Sequence, residues 1–575
     1  MKNRASLATT TVLLVASGLL LTVIQAPIDW SSLAWVGYVP FAVACSPRVK
    51  LRPLVWLSLA VGFLYWLCNV YWVAPITRIG WVAMSFYLAW FWPLLAIAVR
   101  FCRGKGIPLF VALPVLVAGA ERLHGFPMGG FYWRFLGHSQ YANLVVIQIA
   151  DIFGAAGVSF VVAMVNGLLA DGVVFALSRR SRRRWTGRHS PPYGLLAEAV
   201  VTVVVVVTAI LYGQWRVRQT AGCLEQGPRV AALQSNVPIS VKRSFKASED
   251  IFNELMEESR AAAAAGAELI VWPETMVQGY LQPRLWRRIP DSNWVQDESF
   301  YSALADHAKG TAYILVGAYG GEVLRDPLGR EYFGQYNSCY MYRPDGTIAP
   351  QRYDKIHLVL FGEYIPFRRS LPWVFEQLKR FLPEGYNPDY SLEHGTNYTI
   401  FEMEPSRHFA VIICYEDTIP YVGRNFTLDD AGRKRIDWLV NISNDGWFVR
   451  FKQGPNRVIP SSELPQHAAI CAFRAVENRL PILRSVNTGI SCLIESTGRI
   501  RDGYLAASDG FPTEAMDRTG LTGWFLDQMP IDTRVSFYSR HGEWFANCLT
   551  AAFVAAVISP LGARLVRRRR PKTNR

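Results

Sequence analysis

Glu274, Lys355 and Cys414 are the residues of this chain whose types could together break and remake an acyl bond. Glu274 closes Val271-Trp272-Pro273, Lys355 follows Tyr353-Asp354, and Cys414 ends the apolar run Val411-Ile412-Ile413. Lys355 lies 81 residues beyond Glu274, and Cys414 another 59 beyond Lys355. A thiol attacks a carbonyl once it becomes thiolate. It therefore needs a base nearby, and positive charge for the developing oxyanion. Glu274 suits the base and Lys355 the cation. Taken singly, each has a plainer reading: a core thiol, a surface carboxylate after a turn, a solvated loop lysine. Three element ends in one stretch favour a site.

The elements around them alternate. Val230 to Gln234 reads as a short apolar strand, and Ser248 to Ala265 has helical spacing with an alanine run of good helix propensity. Glu268 to Trp272 is a strand whose ladder Pro273 stops. Ala312 to Gly317, Ser338 to Tyr342, Phe409 to Cys414, Trp438 to Ser443, Pro481 to Val486 and Gly489 to Ile494 continue the series. Mostly buried strands with helices or loops between them predict an α/β domain whose sheets are covered by helices.

The rest of the 575 residues is different in kind. Hydrophobic residues make up 51% and charged ones 18%, unusually apolar for a soluble chain, and the apolar excess crowds into the first 213 residues and a stretch near the C-terminus. Seven spans are predicted before the α/β domain: Leu7–Ile24, kept as an uncleaved span, Leu33–Cys45, Leu54–Val73, Trp81–Val99, Ile107–Ala120, Ile152–Leu177 and Leu195–Tyr212. An eighth covers Trp544–Leu561. The second and fifth are short against the ~20 residues that cross a bilayer. The domains are thus 1–225, 226–528 and 529–575.

The net charge of +15 comes from arginines beside these spans rather than along an amphipathic surface, so it argues topology and no nucleic-acid partner. Lys2 and Arg4, then Arg48, Lys50 and Arg52, then Arg100, Arg103 and Lys105, then Arg179 to Arg184, and finally Arg567 to Arg570 fall on one side if eight spans are threaded. That side is cytoplasmic, and the α/β domain then faces the periplasm of a two-membrane bacterium. The loop Gly125 to Tyr141 is rich in aromatics, read either as an interfacial belt or as a substrate lining. Nine scattered cysteines with no CxxC and no Cys/His zinc spacing indicate neither a disulfide framework nor a zinc site. No glycine loop for phosphates appears, so no cofactor and no metal are expected.

With these residues in view, the chain resembles the apolipoprotein N-acyltransferase family of the nitrilase superfamily. The likeness is carried by Glu274 in VWPE, Lys355 and Glu363 in DKIHLVLFGEYIPF, Cys414 in ICYED, Asn444 to Phe448, Gly137 to Gln140, Ile147 to Asp151, Arg474 to Asn478 and Arg484 to Gly489. It extends over nearly the whole chain. The resemblance implies an α-helical multi-span membrane domain plus an α/β nitrilase-like α-β-β-α sandwich in the bacterial inner membrane. It implies a ping-pong reaction: Cys414 takes an acyl chain from a phospholipid, typically phosphatidylethanolamine, as a thioester. The chain then passes to the α-amine of a diacylglyceryl-modified cysteine on an apolipoprotein. By the same resemblance Glu274 is the base, Lys355 and the Tyr415 backbone N–H hold the oxyanion, Glu363 is a supporting glutamate, and Tyr415 and Glu416 serve the second step.

Three departures touch loops rather than the catalytic residues. Arg243 follows Lys242 where the family usually has tryptophan, with Phe245 nearby; the stretch from Gly454-Pro455 to Gln466-His467 is long; and Leu360 stands where proline is common. Two other readings remain open. A membrane-tethered amidase would pass its acyl group to water, though one span would suffice as its tether. A catalytically inactive binding scaffold would have no need of Glu274, Lys355 and Cys414 together.

Overall fold

A computed structural model describes residues 2–180, 192–237, 245–286, 288, 293–326, 329–367, 370–379, 391–451 and 458–569. Arg182 to Arg184, Lys242, Arg243, Gly454, Pro455 and Arg570 lie outside the described residues. The chain divides into two compact units, one made of Met1–Ala74, Arg78–Arg218 and His541–Arg575, the other of Pro75–Thr77 and Gln219–Arg540.

The first unit is helical. Among the described residues, four of its helices are long and apolar enough to cross a membrane: Leu51–Asn69, Arg78–Gly104, Ala155–Ser178 and Gly194–Thr220. Leu7–Val23, Ser31–Ala44 and Trp544–Ser559 are shorter apolar helices. Leu196, Val200, Val203, Val204 and Leu211 stand exposed along one of the long helices, a surface that water would penalise and lipid would not. The second expected span is interrupted, a 3-10 turn at Ser31–Trp35 giving way to Val39–Ala44. The fourth, Arg78–Gly104, is interrupted only at Trp90, between Arg78–Ala89 and Phe91–Gly104, just before Pro93, whose missing N–H weakens the helical ladder there. The Gly125 to Tyr141 loop turns inward. Phe131, Tyr132, Trp133 and Phe135 are buried, and the Arg134 guanidinium donates to the carbonyls of Leu21 and Thr22. Arg216 pairs with Asp151 at 2.6 Å, so charge inside this apolar unit is neutralised by a partner, as burial demands.

The second unit is a sandwich of two sheets. The chain first lays down β1 (Leu224–Gln234), β2 (Leu269–Val271), β3 (Val277–Tyr280), β4 (Tyr313–Arg325), β5 (Glu331–Tyr342) and β6 (Tyr353–Asp354). It then crosses to β7 (Ile400–Met403), β8 (Arg407–Ile413) and β9 (Trp438–Asn444), makes a small ribbon of β10 (Arg450–Phe451) and β11 (Val458–Ile459), and adds β12 (Ile482–Asn487) and β13 (Cys492–Ile494). Finally β14 (Ala506–Ala507) and β15 (Gly523–Asp532) return to the first sheet. The first sheet runs β14-β15-β1-β2-β4-β5-β6 with β3 beside β4, and the second runs β13-β12-β9-β8-β7. The parallel pairs β1/β2, β2/β4, β8/β9 and β9/β12 explain the unbroken apolar runs in sequence, since strands covered on both faces need no polar alternation.

Helices cover the sheets. Phe252 of Phe245–Ala264 and Phe300 of Trp294–Ala308 stack at 4.2 Å over a core that includes Leu233, Ile270 and Trp272. Between the sheets the contact is partly polar: the Ser485 hydroxyl on β12 lies 2.8 Å from the Leu233 carbonyl and 2.9 Å from that of Val271. Asn487 donates to the Val237 carbonyl and accepts from its N–H. Such buried, satisfied contacts fix the register of one sheet on the other, which apolar packing alone specifies less tightly.

Candidate active site

Glu274 sits one turn past the end of β2. The Trp272 N–H still bonds to the Leu315 carbonyl at 2.9 Å, Pro273 has no N–H to extend the ladder, and Thr275 takes a positive φ of 48°. The turn lies so close on β4 that a Cβ added at Gly317 would come within 2.5 Å of the Thr275 nitrogen and 3.0 Å of Glu274 Cα. Glycine at 317 is what lets the carboxylate reach its place.

Lys355 follows β6, which pairs with β5 through Ser338 with Asp354 and Cys339 with Tyr353. Its backbone N–H donates to the Asn337 carbonyl and its own carbonyl accepts from Gly395, each at 2.8 Å. Its Nζ lies 2.9 Å from Glu363 Oε1 and 3.6 Å from Glu274 Oε1, and the residue is 1% exposed. Burial works against its charge, but Glu363, Glu274 and Cys414 around it hold the ammonium well above the usual lysine range. It is a fixed cation. The Asn337 side-chain amide, not singled out in the sequence, donates to Glu274 Oε1 at 2.6 Å and to Glu363 Oε1 at 3.1 Å. Glu363 also accepts from the Val359 N–H at 2.8 Å, so both carboxylates are oriented toward one lysine.

Cys414 comes directly after β8 and takes a left-handed φ of 52°, a conformation uncommon outside glycine and often associated with function. The strand ends there and a 3-10 turn, Cys414–Thr418, begins. The Asn441 side chain on β9 donates to the Cys414 carbonyl at 3.3 Å. The thiol is pushed far above its usual range, chiefly by burial and then by Glu274, against the opposing influence of Lys355 and His467. A thiol held so high is neutral at rest, and any such thiol attacks a carbonyl only after giving its proton to a base.

Glu416 is fully buried, and its carboxylate faces backbone. Oε2 accepts from the Ile413 N–H at 2.7 Å and the Tyr353 hydroxyl at 2.8 Å. Oε1 accepts from the N–H groups of Ile356 and His357 at 2.7 and 2.9 Å. One side chain thus clasps the residue before the thiol to the two residues after the lysine. Tyr415 is half-buried, with its ring 6.1 Å from that of His357.

Beneath the Cys414 turn lies a second polar group made of Asp417, Asp445, Glu463, His467 and Arg484, all fully or nearly fully buried. Asp417, Asp445 and Arg484 fall in motifs singled out in the sequence, His467 was noted there only as the end of a long stretch, and Glu463 was not named. Asp445, Glu463 and His467 bring donor atoms within 4.8 Å of one another, close enough for a cation. His467, however, meets Asp417 with Nε2 at 2.7 Å and meets Asp445 and Glu463 with Nδ1 at 3.2 Å each. Arg484 pairs with Asp417. His467 and Arg484 thus already face the carboxylates that a cation would need.

A two-sheet sandwich with a carboxylate, a lysine and a strand-end cysteine is the plan of a nitrilase-type enzyme, and residues 229–510 match the Carbon-nitrogen hydrolase family. Residues 17–168 match the Apolipoprotein N-acyltransferase N-terminal domain. An apolipoprotein N-acyltransferase from Geobacter metallireducens is 32% identical over 95% of this chain and 94% of its own. One from Chlorobaculum tepidum is 26% identical over 92% of each. An amidase from Nesterenkonia sp. of known structure aligns with 54% of this chain and 94% of its own at 14% identity and a TM-score of 0.33. The chain belongs to the apolipoprotein N-acyltransferase family. It is a membrane-bound acyltransferase.

Proposed function

We propose that this enzyme moves a fatty acyl chain from a phospholipid, with phosphatidylethanolamine as the donor, to the N-terminal amine of a diacylglyceryl-cysteine on an apolipoprotein. The observation that carries the mechanism is the fixed Lys355 ammonium shared by Glu274 and Glu363 beside a neutral, buried thiol on a left-handed turn. Glu274 takes the Cys414 proton as sulfur attacks the ester carbonyl, and the oxyanion forms against Lys355 and the Tyr415 N–H. Collapse breaks the ester C–O bond. Glu274 returns the proton to the leaving oxygen, lysophospholipid departs, and a thioester remains on Cys414. The lipoprotein amine then attacks the thioester while Glu274 takes its proton, and that proton returns to sulfur as the amide forms. Glu363 orients Lys355, and Glu416 holds the lysine segment against the nucleophile turn.

The alternating arginine pattern supports eight spans in the inner membrane, with the catalytic unit on the periplasmic side, where its lipoprotein acceptors are exposed. Mass spectrometry of a lipoprotein N-terminus tests the reaction. A third acyl chain should appear only when the enzyme and phospholipid are both supplied, and a lipoprotein left with two chains under those conditions would refute it.

A further inference from the structure

We propose that Asp417, Asp445, His467 and Arg484 form a buried ionic keystone that holds the Cys414 turn and sets the electrostatic potential at its thiol, with His467 as a positioning residue in its charged form. The proposal rests on Cys414 being the nucleophile. The four groups come from four separate pieces of chain. Asp417 lies in the same 3-10 turn as Cys414, Asp445 begins the turn after β9, His467 is on the helix Glu463–Asn478, and Arg484 is on β12. Asp417 binds both cations, His467 Nε2 at 2.7 Å and the Arg484 guanidinium. Asp445 accepts from the Ser443 hydroxyl at 2.7 Å and faces His467 Nδ1 at 3.2 Å and Arg484 Nη2 at 3.7 Å.

A histidine with carboxylate oxygens at both ring nitrogens has no acceptor role to play, and both nitrogens donate only in the imidazolium. Burial opposes that charge, but Asp417 and Asp445 hold His467 well above its usual range, while burial and Asp445 push the neighbouring Glu463 carboxyl up to about 8. At neutral pH the group is therefore two carboxylates, one carboxylic acid, an imidazolium and a guanidinium, and it is balanced without a metal. Cys471 and Cys492 lie beside Arg484 and are neutral thiols. The groups that act on Cys414 are Glu274 and Asp445, which disfavour its thiolate, and Lys355 and His467, which favour it. Broken pieces of a buried ionic group are costly, because the partner left behind keeps its charge. The nucleophile turn is thus braced by charges that also act on its sulfur.

A brace and a source of potential make different predictions. Either variant of a mere brace would loosen the turn and change thiol reactivity in the same direction, whereas a source of potential gives opposite signs. Full-length protein in detergent is alkylated with iodoacetamide from about pH 6 to 10, and the rate at Cys414 is read by peptide mass spectrometry. His467→Gln should displace the Cys414 profile to higher pH and Asp445→Asn to lower pH, each by on the order of one unit, so that at fixed pH the rates move roughly tenfold in opposite directions. Shifts of the same sign, or none, overturn the keystone while leaving Cys414 as nucleophile; a wild-type Cys414 that never reacts while other cysteines do overturns the reading beneath it. If the variants fail to fold, wild-type protein still decides the matter. Its ¹⁵N-histidine NMR spectrum should retain an imidazolium at about pH 8, and a neutral His467 ring, or a stoichiometric metal in the purified protein, would refute the proposal.

Discussion

Glu416→Gln separates a clasp from a chemical participant. The carboxylate accepts four hydrogen bonds, two at each oxygen. Glutamine keeps one oxygen. Its amide nitrogen is best placed toward Ile413 and Tyr353, because the tyrosine hydroxyl can reverse and accept, while the opposite choice would strand the N–H groups of both Ile356 and His357. One backbone N–H, that of Ile413, is then left facing another donor. Losing a charge-assisted bond and stranding a buried N–H costs about 2–3 kcal/mol, and this falls on the residue immediately before Cys414. If the whole cost is felt in the transition state, thioester formation slows roughly 30- to 150-fold. The assay follows acyl-Cys414 by intact-protein mass spectrometry with phospholipid and no acceptor, at about pH 8, alongside thermal unfolding. Burial pushes Glu416 up to about 7, so below that pH the wild type itself becomes a neutral acid and the gap between the two proteins should narrow. A variant that forms the thioester at the wild-type rate and fails only in transfer to the amine would refute the clasp, and would make Glu416 a direct participant in the second step.

Three further outcomes follow from the geometry. Lys355→Met should form the Cys414 thioester 10²- to 10³-fold more slowly by removing the oxyanion's cation, the order seen for one lost donor; an unchanged single-turnover rate would dismiss Lys355 from the first step. Gly317→Ala presses a methyl group into the Glu274 turn, at 2.5 Å from the Thr275 nitrogen before relaxation. It should cost about 1–3 kcal/mol in denaturant unfolding together with a fall in thioester formation, and normal stability with normal activity would show the turn to be yielding. Glu463, with its folded pKa raised to about 8, contributes stability that is fully present below the unfolded value and is lost as pH rises through 8. Wild-type melting temperature should therefore fall across that window, and Glu463→Gln should flatten the decline; identical slopes would count against a protonated Glu463.

The parts of this protein that could be read from sequence are those in which a local pattern carries the physics. Val411 to Ile413 and Leu269 to Val271 are unbroken apolar runs because parallel neighbours and covering helices bury both faces, and the residues at their ends, Cys414 and Glu274, draw the eye for that reason. Strands β3, β7 and β15 were not legible. The first two have four residues each, and β15 carries Asp527, Gln528 and Pro530, a composition that argues against a strand. It is tolerated because β14 pairs only with Phe525 and Leu526, leaving the proline beyond the doubly paired stretch. Asn337 was invisible for another reason: its partners Glu274 and Glu363 lie 63 and 26 residues away, and no local spacing announces them. His467 likewise looks like any helical histidine until Asp417 and Asp445 are brought to its two nitrogens. Glu416 was legible only as part of a motif; its partners Tyr353, Ile356 and His357 lie 63, 60 and 59 residues away, beyond any local spacing.

The pairing of β1 with β15 has a mechanical consequence. Leu224, a few residues after the main segment of the catalytic unit begins at Gln219, is registered opposite Asp532, a few residues before that segment ends at Arg540, and the ladder runs from there inward to Gln234 and Gly523. A force that draws the two chain ends apart would load this antiparallel ladder from its open end and break its hydrogen bonds one at a time, as a zipper opens, rather than all together in shear. Such an opening parts β1 from β15 and ends at the Gln234 side chain, which donates to the carbonyls of Arg518 and Leu521. Held at its two ends in an optical trap, the catalytic unit should therefore yield at low force from the side of its own attachment points.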